Sequence, residues 1–268
     1  MKSLDAAQAR AQYEADGYYI HTQPLIPSDV IGHGVAGMDE VRAGRYDTGT
    51  PPCPSMTQPG DDPRKLCKIE MPQIANRAIM DVLRYPALGE LAAAITGASM
   101  VQVWWVQLLI KPPVDPDGTI ATNIGLHQDR QYWQAWEEGS ELFTAWIAMS
   151  DVTADTGPMK FWRGSHKWGF LNKGDFHGQD LDAQRHEISG PDGKRCEEAA
   201  AILPPGGVSF HDRLTFHGSG PNLSSGPRRS FAVHMRTEKS RPVNNARQGL
   251  TEFIDNEAWC PVIYGKLG

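Results

Sequence analysis

The feature that most restricts the fold of this chain is a mostly apolar run at positions 101–110. Apolar side chains occupy both alternating faces of this run, which is the pattern of a β-strand buried on both sides. Further strand-like segments follow at residues 142–150, 200–203, 208–211 and 230–236, separated by segments that contain Gly and Pro. Short strands preceded by helices predict a mainly β fold, a double-stranded β-helix (a cupin-like jelly roll) with N-terminal helices packed on its outside.

Helices dominate the prediction for the sequence before these strands. Residues 4–16 are predicted to form a helix, with Ser3 as its N-cap and Gly17 after its end. Further predictions are a strand at 18–20, a helix from about residue 27 towards 44, an irregular Pro-rich loop at 45–66 and a helix at 86–95. The 268 residues suit a single domain, with a helical N-terminal part (1–99), a jelly-roll core (100–240) and a C-terminal extension (241–268).

Composition and charge exclude several kinds of partner. The net charge of −6 and the pI near 5.8 argue against a nucleic acid or an anionic membrane surface. The N-terminus lacks the apolar segment of a secretion signal, and no apolar run approaches the ~20 residues that cross a bilayer. The cysteines, which are Cys53, Cys67, Cys196 and Cys260, form no CxxC pair and have no zinc-like spacing. We therefore expect a cytoplasmic protein with reduced thiols.

Two histidines and one carboxylate form the most informative motif. His127 and Asp129 flank Gln128, and His217 lies far downstream in Phe-His-Gly-Ser-Gly, residues 216–220. Two histidines and one carboxylate, with coordination positions left open, are the ligand set of non-haem Fe(II) oxygenases. Because residues i and i+2 of a strand share a face, His127 and Asp129 could bind one metal ion from one strand, with His217 as the third ligand.

An HxD pair alone is a weak signal, since an exposed histidine near a turn aspartate gives the same pattern. The sequence after His217 strengthens it. A stretch rich in Gly, Ser and Pro, residues 218–227, leads to Arg228 and Arg229 and then to a strand-like segment at 230–235. A basic residue at the start of that strand, facing the same way as His217, could bind the far carboxylate of a dicarboxylate co-substrate with two hydrogen bonds.

Several separate motifs share their order and spacing with one known family. They are His127-Gln128-Asp129, Ala145-Trp146, Asp155-Thr156-Gly157-Pro158, Gly164-Ser165-His166-Lys167, residues 205–211, His217-Gly218-Ser219-Gly220-Pro221-Asn222, and Arg228. Through these motifs, residues 100–240 resemble the phytanoyl-CoA dioxygenase (PhyH) family of Fe(II)- and 2-oxoglutarate-dependent oxygenases. Members of this family act on very different molecules, so the resemblance does not indicate the substrate.

The resemblance implies a metal centre and two co-substrates. Fe(II) would be held by His127, Asp129 and His217, and 2-oxoglutarate and O2 would be the co-substrates. In the family, 2-oxoglutarate chelates the metal through its C1 carboxylate and keto oxygen, while its C5 carboxylate meets an arginine. Arg228, eleven residues after His217, falls on that position.

Four further residues correspond to the family's co-substrate pocket. Ser219 matches a hydroxyl that helps to hold the co-substrate. Trp146 matches an aromatic wall, although an ordinary core aromatic would explain it equally well. Gln107 falls on a pocket-lining position, and a glutamine in an apolar strand needs a hydrogen-bond partner there or in a neighbouring loop. Lys68 is a loose match to an upstream lysine, and a solvated lysine is the alternative.

Aromatic residues and one loop are candidates for the substrate side. Tyr132, Trp133, Trp136 and either Trp104 or Trp105 could line a substrate cleft or belong to the core. Arg130 could face the substrate or form a surface salt bridge. Residues 166–197 are polar and Gly-rich, and we interpret this long connection as a lid over the active site.

In two places, adjacent residues of a predicted strand should point to opposite faces of the sheet. His211 and Asp212 face opposite sides and cannot both reach one metal ion without a bulge, so His211 is interpreted as structural. By the same alternation, Arg229 is expected at the surface, on the opposite face from Arg228.

The sequence thus predicts an Fe(II)- and 2-oxoglutarate-dependent dioxygenase that oxidises a C–H bond of a small organic molecule, with hydroxylation as the expected reaction. Desaturation, ring closure or epimerisation could follow the same C–H abstraction. A secondary-metabolite or sugar-like substrate is preferred to a CoA thioester, whose phosphates would need a basic cluster. Two alternatives stay open: a cupin-type metalloenzyme that does not use 2-oxoglutarate, and a non-catalytic jelly-roll ligand-binding protein. The oligomeric state is not indicated.

Overall fold

Two antiparallel β-sheets, of seven and four strands within the described residues, form the framework. The computed structural model describes residues 6–115, 117, 120, 122–193 and 197–267. The helices are α1 (Ala6–Asp16), α2 (Ser28–Arg42), α3 (Arg77–Leu83), α4 (Pro86–Thr96) and α5 (Leu181–Glu187). The strands are β1 (Tyr18–His21), β2 (Cys67–Glu70), β3 (Val101–Lys111), β4 (Ile124–His127), β5 (Leu142–Ala148), β6 (Met159–Trp162), β7 (Glu198–Ala200), β8 (Val208–Asp212), β9 (His217–Ser219), β10 (Arg228–Thr237) and β11 (Val262–Tyr264).

The larger sheet is built around the two longest strands, β3 and β10. Its strand order is β1-β8-β5-β10-β3-β11, and β2 also pairs with β3. In the β10–β3 register, Arg228 lies opposite Lys111 and Ala232 lies opposite Gln107. A bulge between His234 and Met235 shifts this register, so the alternation of inward and outward side chains changes phase there.

The smaller sheet has the order β4-β9-β6-β7, and an apolar cluster lies between it and the larger sheet. Tyr18 of the larger sheet stacks on Phe161 of the smaller one, with ring centroids 5.0 Å apart. Leu109, Trp146 and Ala232 belong to the same cluster. Two antiparallel sheets around a shared interior give the predicted jelly roll, which is therefore confirmed.

Helices α2, α3 and α4 pack on the outer face of the larger sheet. Met38 of α2, Ile79 of α3 and Leu91 of α4 share a buried cluster with Val106 and Leu108 of β3. β3 is therefore apolar on both faces, because one face meets the helices and the other lines the interior between the sheets. No helix among the described residues is long and apolar enough to span a bilayer.

The long segments match the sequence prediction, and the short ones were missed. The strands predicted at 101–110, 142–150, 208–211 and 230–236 correspond to β3, β5, β8 and β10. The strand predicted at 200–203 is wrong in its bounds: β7 ends at Ala200, and Leu203 forms only an isolated bridge with Val152. β2, β4, β6, β11, α3 and α5 have three to seven residues each, too few to show a clear periodicity.

The first hundred residues are not purely helical. β1 and β2 lie in this part of the chain, and both join the larger sheet beside strands of the jelly-roll core. The N-cap prediction for Ser3 and the thiol of Cys196 lie outside the described residues. Cys53, Cys67 and Cys260 carry free thiols.

Candidate active site

Three side chains converge on one point at the junction of β4 and β9. Asp129 Oδ1 lies 3.6 Å from His127 Nε2 and 3.5 Å from His217 Nε2. One donor atom from each residue falls within 4.8 Å of the others, and all three residues are buried. This arrangement can hold a single metal ion from one side.

Strand pairing sets the positions of the two histidines. His127 is the last residue of β4 and lies directly opposite His217, the first residue of β9. Asp129 is not on the same strand as His127, contrary to the prediction, because β4 ends at His127 and a 3-10 turn begins at Asp129. Gln128 between them keeps an extended backbone, with φ −106° and ψ 131°, so the two ligand side chains still point to the same side.

Both imidazoles are oriented by backbone carbonyls two residues before them in the chain. His127 Nδ1 lies 2.8 Å from the carbonyl oxygen of Gly125, and His217 Nδ1 lies 2.9 Å from that of Thr215. Since a carbonyl oxygen only accepts hydrogen bonds, each Nδ1 is the protonated nitrogen and each Nε2 presents a lone pair to the centre. Burial holds the pKa of His217 well below its ordinary value, which favours this neutral form.

The second carboxylate oxygen of Asp129 is held by two donors. Thr144 Oγ1 donates to Asp129 Oδ2 at 2.8 Å, and His211 Nε2 donates to the same atom at 3.1 Å. Burial alone would raise the pKa of Asp129, but the neighbouring histidines outweigh it and hold that pKa well below its usual range. Asp129 is therefore a carboxylate with Oδ1 free for a metal ion.

His234 extends this network away from the centre. Its Nδ1 lies 2.8 Å from Thr144 Oγ1 and must donate, because the Thr144 proton is already given to Asp129. Burial lowers the pKa of His234 to about 4. Sequence analysis missed Thr144 and His234, since their link to Asp129 joins residues far apart in the chain.

Gln128, the middle residue of the motif, ties the centre to two loops. Its Nε2 donates to the carbonyls of Leu214 at 2.7 Å and Gly169 at 2.8 Å, and its Oε1 accepts from Leu171 N at 2.9 Å. The side chain is fully buried. Gln128 therefore fixes the turn before His217 and the start of the long connection at 166–197.

A cavity of about 350 Å³ opens beside the three converging side chains. The five residues predicted to contact the co-substrate all line it: Lys68, Gln107, Trp146, Ser219 and Arg228. The structure thus brings together all eight site residues predicted from the sequence. Their individual roles stay predictions.

Arg228 and Trp146 mark one end of this cavity. The Arg228 guanidinium is centred 5.1 Å from the Trp146 ring, and its Nη1 donates to the carbonyl of Gly157. The buried N–H groups at Arg228 Nε and Trp146 Nε1 have no hydrogen-bond partner within the described part of the chain. Burial lowers the pKa of Arg228 to about 10. A carboxylate is the ligand that would satisfy such a buried, unpaired guanidinium.

Lys68 and Gln107 both meet Glu70. Lys68 Nζ lies 3.2 Å from Glu70 Oε1, and Gln107 Nε2 donates to the same oxygen at 3.4 Å. Trp105 Nε1 donates to Glu70 Oε2 at 2.7 Å. Lys68 also lies over the ring of Phe176, 4.8 Å from its centroid. Lys68 is therefore an ion-paired wall residue, and Glu70 is a cavity residue that sequence analysis missed.

Several aromatic side chains also line the cavity. Trp105, Tyr132 and Trp133 line the cavity, whereas Trp104 and Trp136 are buried in a core cluster behind it. Phe176 and His177, from the connection at 166–197, also line the cavity.

Phe176 covers the metal-facing side of the cavity. Its ring packs edge-on against His127, with centroids 5.3 Å apart. The Gly125 amide donates to the Phe176 carbonyl at 2.9 Å. The described part of the connection predicted as a lid therefore closes one side of the site, while residues 194–196 lie outside the described residues.

Four other residues near the site were also considered in the sequence analysis, and the structure gives each of them a position. Arg229 faces away from the cavity and pairs with Asp39 at 2.9 Å. Asp212 points away from the centre and accepts from Leu214 N. His211 was interpreted from the sequence as a structural residue. In the structure it also donates a hydrogen bond to Asp129. Arg130 lies outside the cavity lining and donates to the carbonyl of Trp133.

The family model and the curated relatives that match this chain all belong to one family. The family model for phytanoyl-CoA dioxygenase (PhyH) matches residues 13–230. A probable phytanoyl-CoA dioxygenase of Caenorhabditis elegans is 26% identical over 170 residues, which cover 58% of this chain and 50% of that protein. The peroxisomal phytanoyl-CoA dioxygenase of Homo sapiens is 26% identical over 169 residues, covering 58% and 45%. The chain spans about half the length of these relatives.

Solved structures share the fold. The epimerase SnoN, solved with Fe3+, alpha ketoglutarate and nogalamycin RO, has a TM-score of 0.70 at 19% identity, with 88% of this chain and 85% of that chain covered. The carbocyclase SnoK from nogalamycin biosynthesis has a TM-score of 0.69 at 20% identity, with 90% and 88% covered.

Proposed function

The chain belongs to the phytanoyl-CoA dioxygenase (PhyH) family, and from that membership we propose that it is an Fe(II)- and 2-oxoglutarate-dependent dioxygenase. It oxidises a C–H bond of a small organic molecule, with hydroxylation as the simplest outcome. His127, Asp129 and His217 would hold the iron. Arg228 and Ser219 would hold the distal carboxylate of 2-oxoglutarate.

The observation that carries this proposal is the combination of two features in one cavity. Three donor atoms converge with their lone pairs facing one point. In the same cavity, the buried guanidinium of Arg228 has no carboxylate partner among the described residues. Burying an unpaired charge is costly, so this end of the cavity favours an anionic ligand. A dicarboxylate that chelates a metal ion with one end and pairs with Arg228 at the other fits both features.

When bound, iron and 2-oxoglutarate supply the oxidising chemistry, together with O2. The residues of this chain contribute orientation and the exclusion of water. Thr144 and His211 hold Asp129 Oδ2, so that Oδ1 faces the metal position. Phe176 shields His127 from the solvent side, and Trp105 and Trp133 wall the space left for the substrate.

The cavity favours a compact substrate with an apolar or ring-like face. Its volume of about 350 Å³ must be shared with the co-substrate. An outer cleft shares Phe176 with the cavity and carries two cations, Arg42 and Lys65, beside two carboxylates, Asp61 and Asp62. Because these charges balance, the cleft as described offers no excess positive charge for the phosphates of a CoA thioester. A sugar-like or secondary-metabolite substrate fits this surface better, in a cytoplasmic setting.

The test is an anaerobic titration of the metal-free protein with Fe(II) and 2-oxoglutarate, followed by visible absorption. We expect a charge-transfer band only when both components are present, and a weaker band in Arg228→Ala. Arg229→Ala is the matched control, because the neighbouring arginine faces Asp39 instead of the cavity. Its band should equal that of the wild type.

Other outcomes separate the alternatives. Iron binding without the band would exclude 2-oxoglutarate and favour a metalloenzyme of another kind on this barrel. No iron binding at all would favour a ligand-binding protein. A band followed by succinate release in a substrate screen would identify the substrate, and the product would distinguish hydroxylation from desaturation, cyclisation or epimerisation.

A further inference from the structure

Lys111 is a fully buried lysine at the end of β3 whose charge has no partner of opposite sign among the described residues. Its Nζ donates to Ser219 Oγ at 2.6 Å, to the Gly220 carbonyl at 2.6 Å and to the Ser219 carbonyl at 3.4 Å. An ammonium group has three donors, and these neutral acceptors engage all of them. Lys111 is thus held rigidly behind Ser219.

A second buried cation lies next to it. Lys111 and Arg228 are directly opposite each other in the β3–β10 register, and both side chains are buried. Burial holds the pKa of Lys111 well below its ordinary value, and the charge of Arg228 lowers it further. Two adjacent buried cations repel each other and lose their hydration, so a bound carboxylate would be attracted by both and would favour the ammonium form of Lys111.

The contact with Lys111 also fixes the polarity of the Ser219 hydroxyl. Because an ammonium can only donate, Ser219 Oγ must accept from Lys111. The hydroxyl proton of Ser219 is then available to donate in another direction. Ser219 lines the cavity, as Arg228 does, whereas Lys111 does not.

We propose that Lys111 is a positioning residue for the distal carboxylate of the co-substrate: it turns the Ser219 hydroxyl proton towards that carboxylate and adds a second positive charge behind it. This inference rests on the proposed function. It predicts that Lys111 determines the preference for a dicarboxylate over a monocarboxylate 2-oxo acid, without touching the ligand itself.

The test compares two ligands, 2-oxoglutarate and 2-oxopentanoate, which has the same chain length but lacks the distal carboxylate. Anaerobic calorimetry on protein loaded with Co(II) measures both dissociation constants without turnover. In Lys111→Met, 2-oxoglutarate should bind about tenfold more weakly, because the Ser219 proton is no longer directed at the distal carboxylate and one charge behind it is lost, while 2-oxopentanoate binds as in the wild type. Lys239→Met removes an exposed lysine and should leave both constants unchanged.

A double variant tests the route of the effect. Since Lys111 acts partly through Ser219, Lys111→Met should cost less affinity for 2-oxoglutarate in a Ser219→Ala background than in the wild type. Thermal unfolding checks the fold of each variant. Should Lys111→Met not unfold cooperatively, Lys111→Gln replaces it, because its amide keeps a donor for Ser219 without the charge, and a smaller loss confined to 2-oxoglutarate is expected.

The outcomes keep the two proposals apart. Equal weakening of both ligands in a folded variant, or an unchanged affinity for 2-oxoglutarate, would overturn the role of Lys111 and leave the proposed function intact. A wild-type protein that binds the metal but does not prefer 2-oxoglutarate to 2-oxopentanoate would overturn both.

Discussion

His127 and His217 lie directly opposite each other on β4 and β9, with ring centroids 4.2 Å apart. One strand register therefore sets the distance between two candidate metal ligands that are ninety residues apart in the chain. A slip of one residue in this short pairing would turn one imidazole to the other face of the sheet. The metal centre and the smaller sheet thus depend on the same few backbone hydrogen bonds.

Removal of the carboxylate should abolish tight metal binding. In Asp129→Ala only two imidazoles remain, and we expect the affinity for Fe(II) or Co(II) to fall by more than about 100-fold, the upper range for loss of an outer partner. A metal titration followed by absorption measures this. His33→Ala is the control, because His33 is exposed and far from the centre in sequence. Wild-type affinity in Asp129→Ala would contradict the ligand assignment.

Thr144 should tune the metal affinity through Asp129. Thr144→Val keeps the shape of the side chain but removes the donor to Asp129 Oδ2 and the acceptor for His234. We expect metal affinity to fall about 10-fold. Thr144→Ser retains the hydroxyl and should stay near the wild type. Equal affinities in the valine and serine variants would show that the hydroxyl does not act on the ligand.

His234 should make the metal-free protein sensitive to acid. Burial lowers its pKa from 6.5 to about 4, so protonation favours the unfolded chain. Its contribution to stability is complete above pH 6.5 and is lost as the pH falls towards 4, by about 3 kcal/mol at 1.36 kcal/mol per pKa unit. Urea unfolding between pH 7.5 and 4 measures this, with His234→Gln as the comparison. Parallel pH profiles for the two proteins would argue against a buried neutral histidine.

Gly125 should be needed for closure of the connection over the site. A Cβ at Gly125 would lie 2.0 Å from the Asp175 carbonyl oxygen and 2.8 Å from that of Gly178. Gly125→Ala should therefore push the loop outwards, expose Phe176 and lower the free energy of unfolding by about 1–3 kcal/mol. Limited proteolysis should cut this loop faster than in the wild type. Gly32→Ala, at an open helical position, is the control and should not change the cleavage rate.

Sequence reasoning was most successful where the signal was local. Strand β3 was predictable because eight of its eleven residues are apolar and they occupy both faces. His127, Asp129 and Arg228 were found because each lies in a short motif with family-specific spacing. Lys111 was not identified from the sequence, since its partners Ser219 and Gly220 are more than a hundred residues away.

The same limit applies to the network behind the metal site. Thr144 and His234 are ordinary residues in apolar strands, and only the pairing of β5 with β10 places them side by side. Glu70 likewise gains its role from Trp105, a residue on the neighbouring strand. Non-local register decides these contacts, and a single sequence does not specify it.

The carbonyl oxygens of Gly125 and Thr215 each orient the histidine two residues further along the chain. The hydrogen-bond acceptor of each Nδ1 is thus a backbone group and not a side chain. Trp105 and Trp133, which line the cavity, can therefore be replaced without removing either acceptor. The backbone thus orients the two candidate histidine ligands, whereas side chains form the cavity wall around them, so the wall can vary in sequence while both histidine acceptors stay in place.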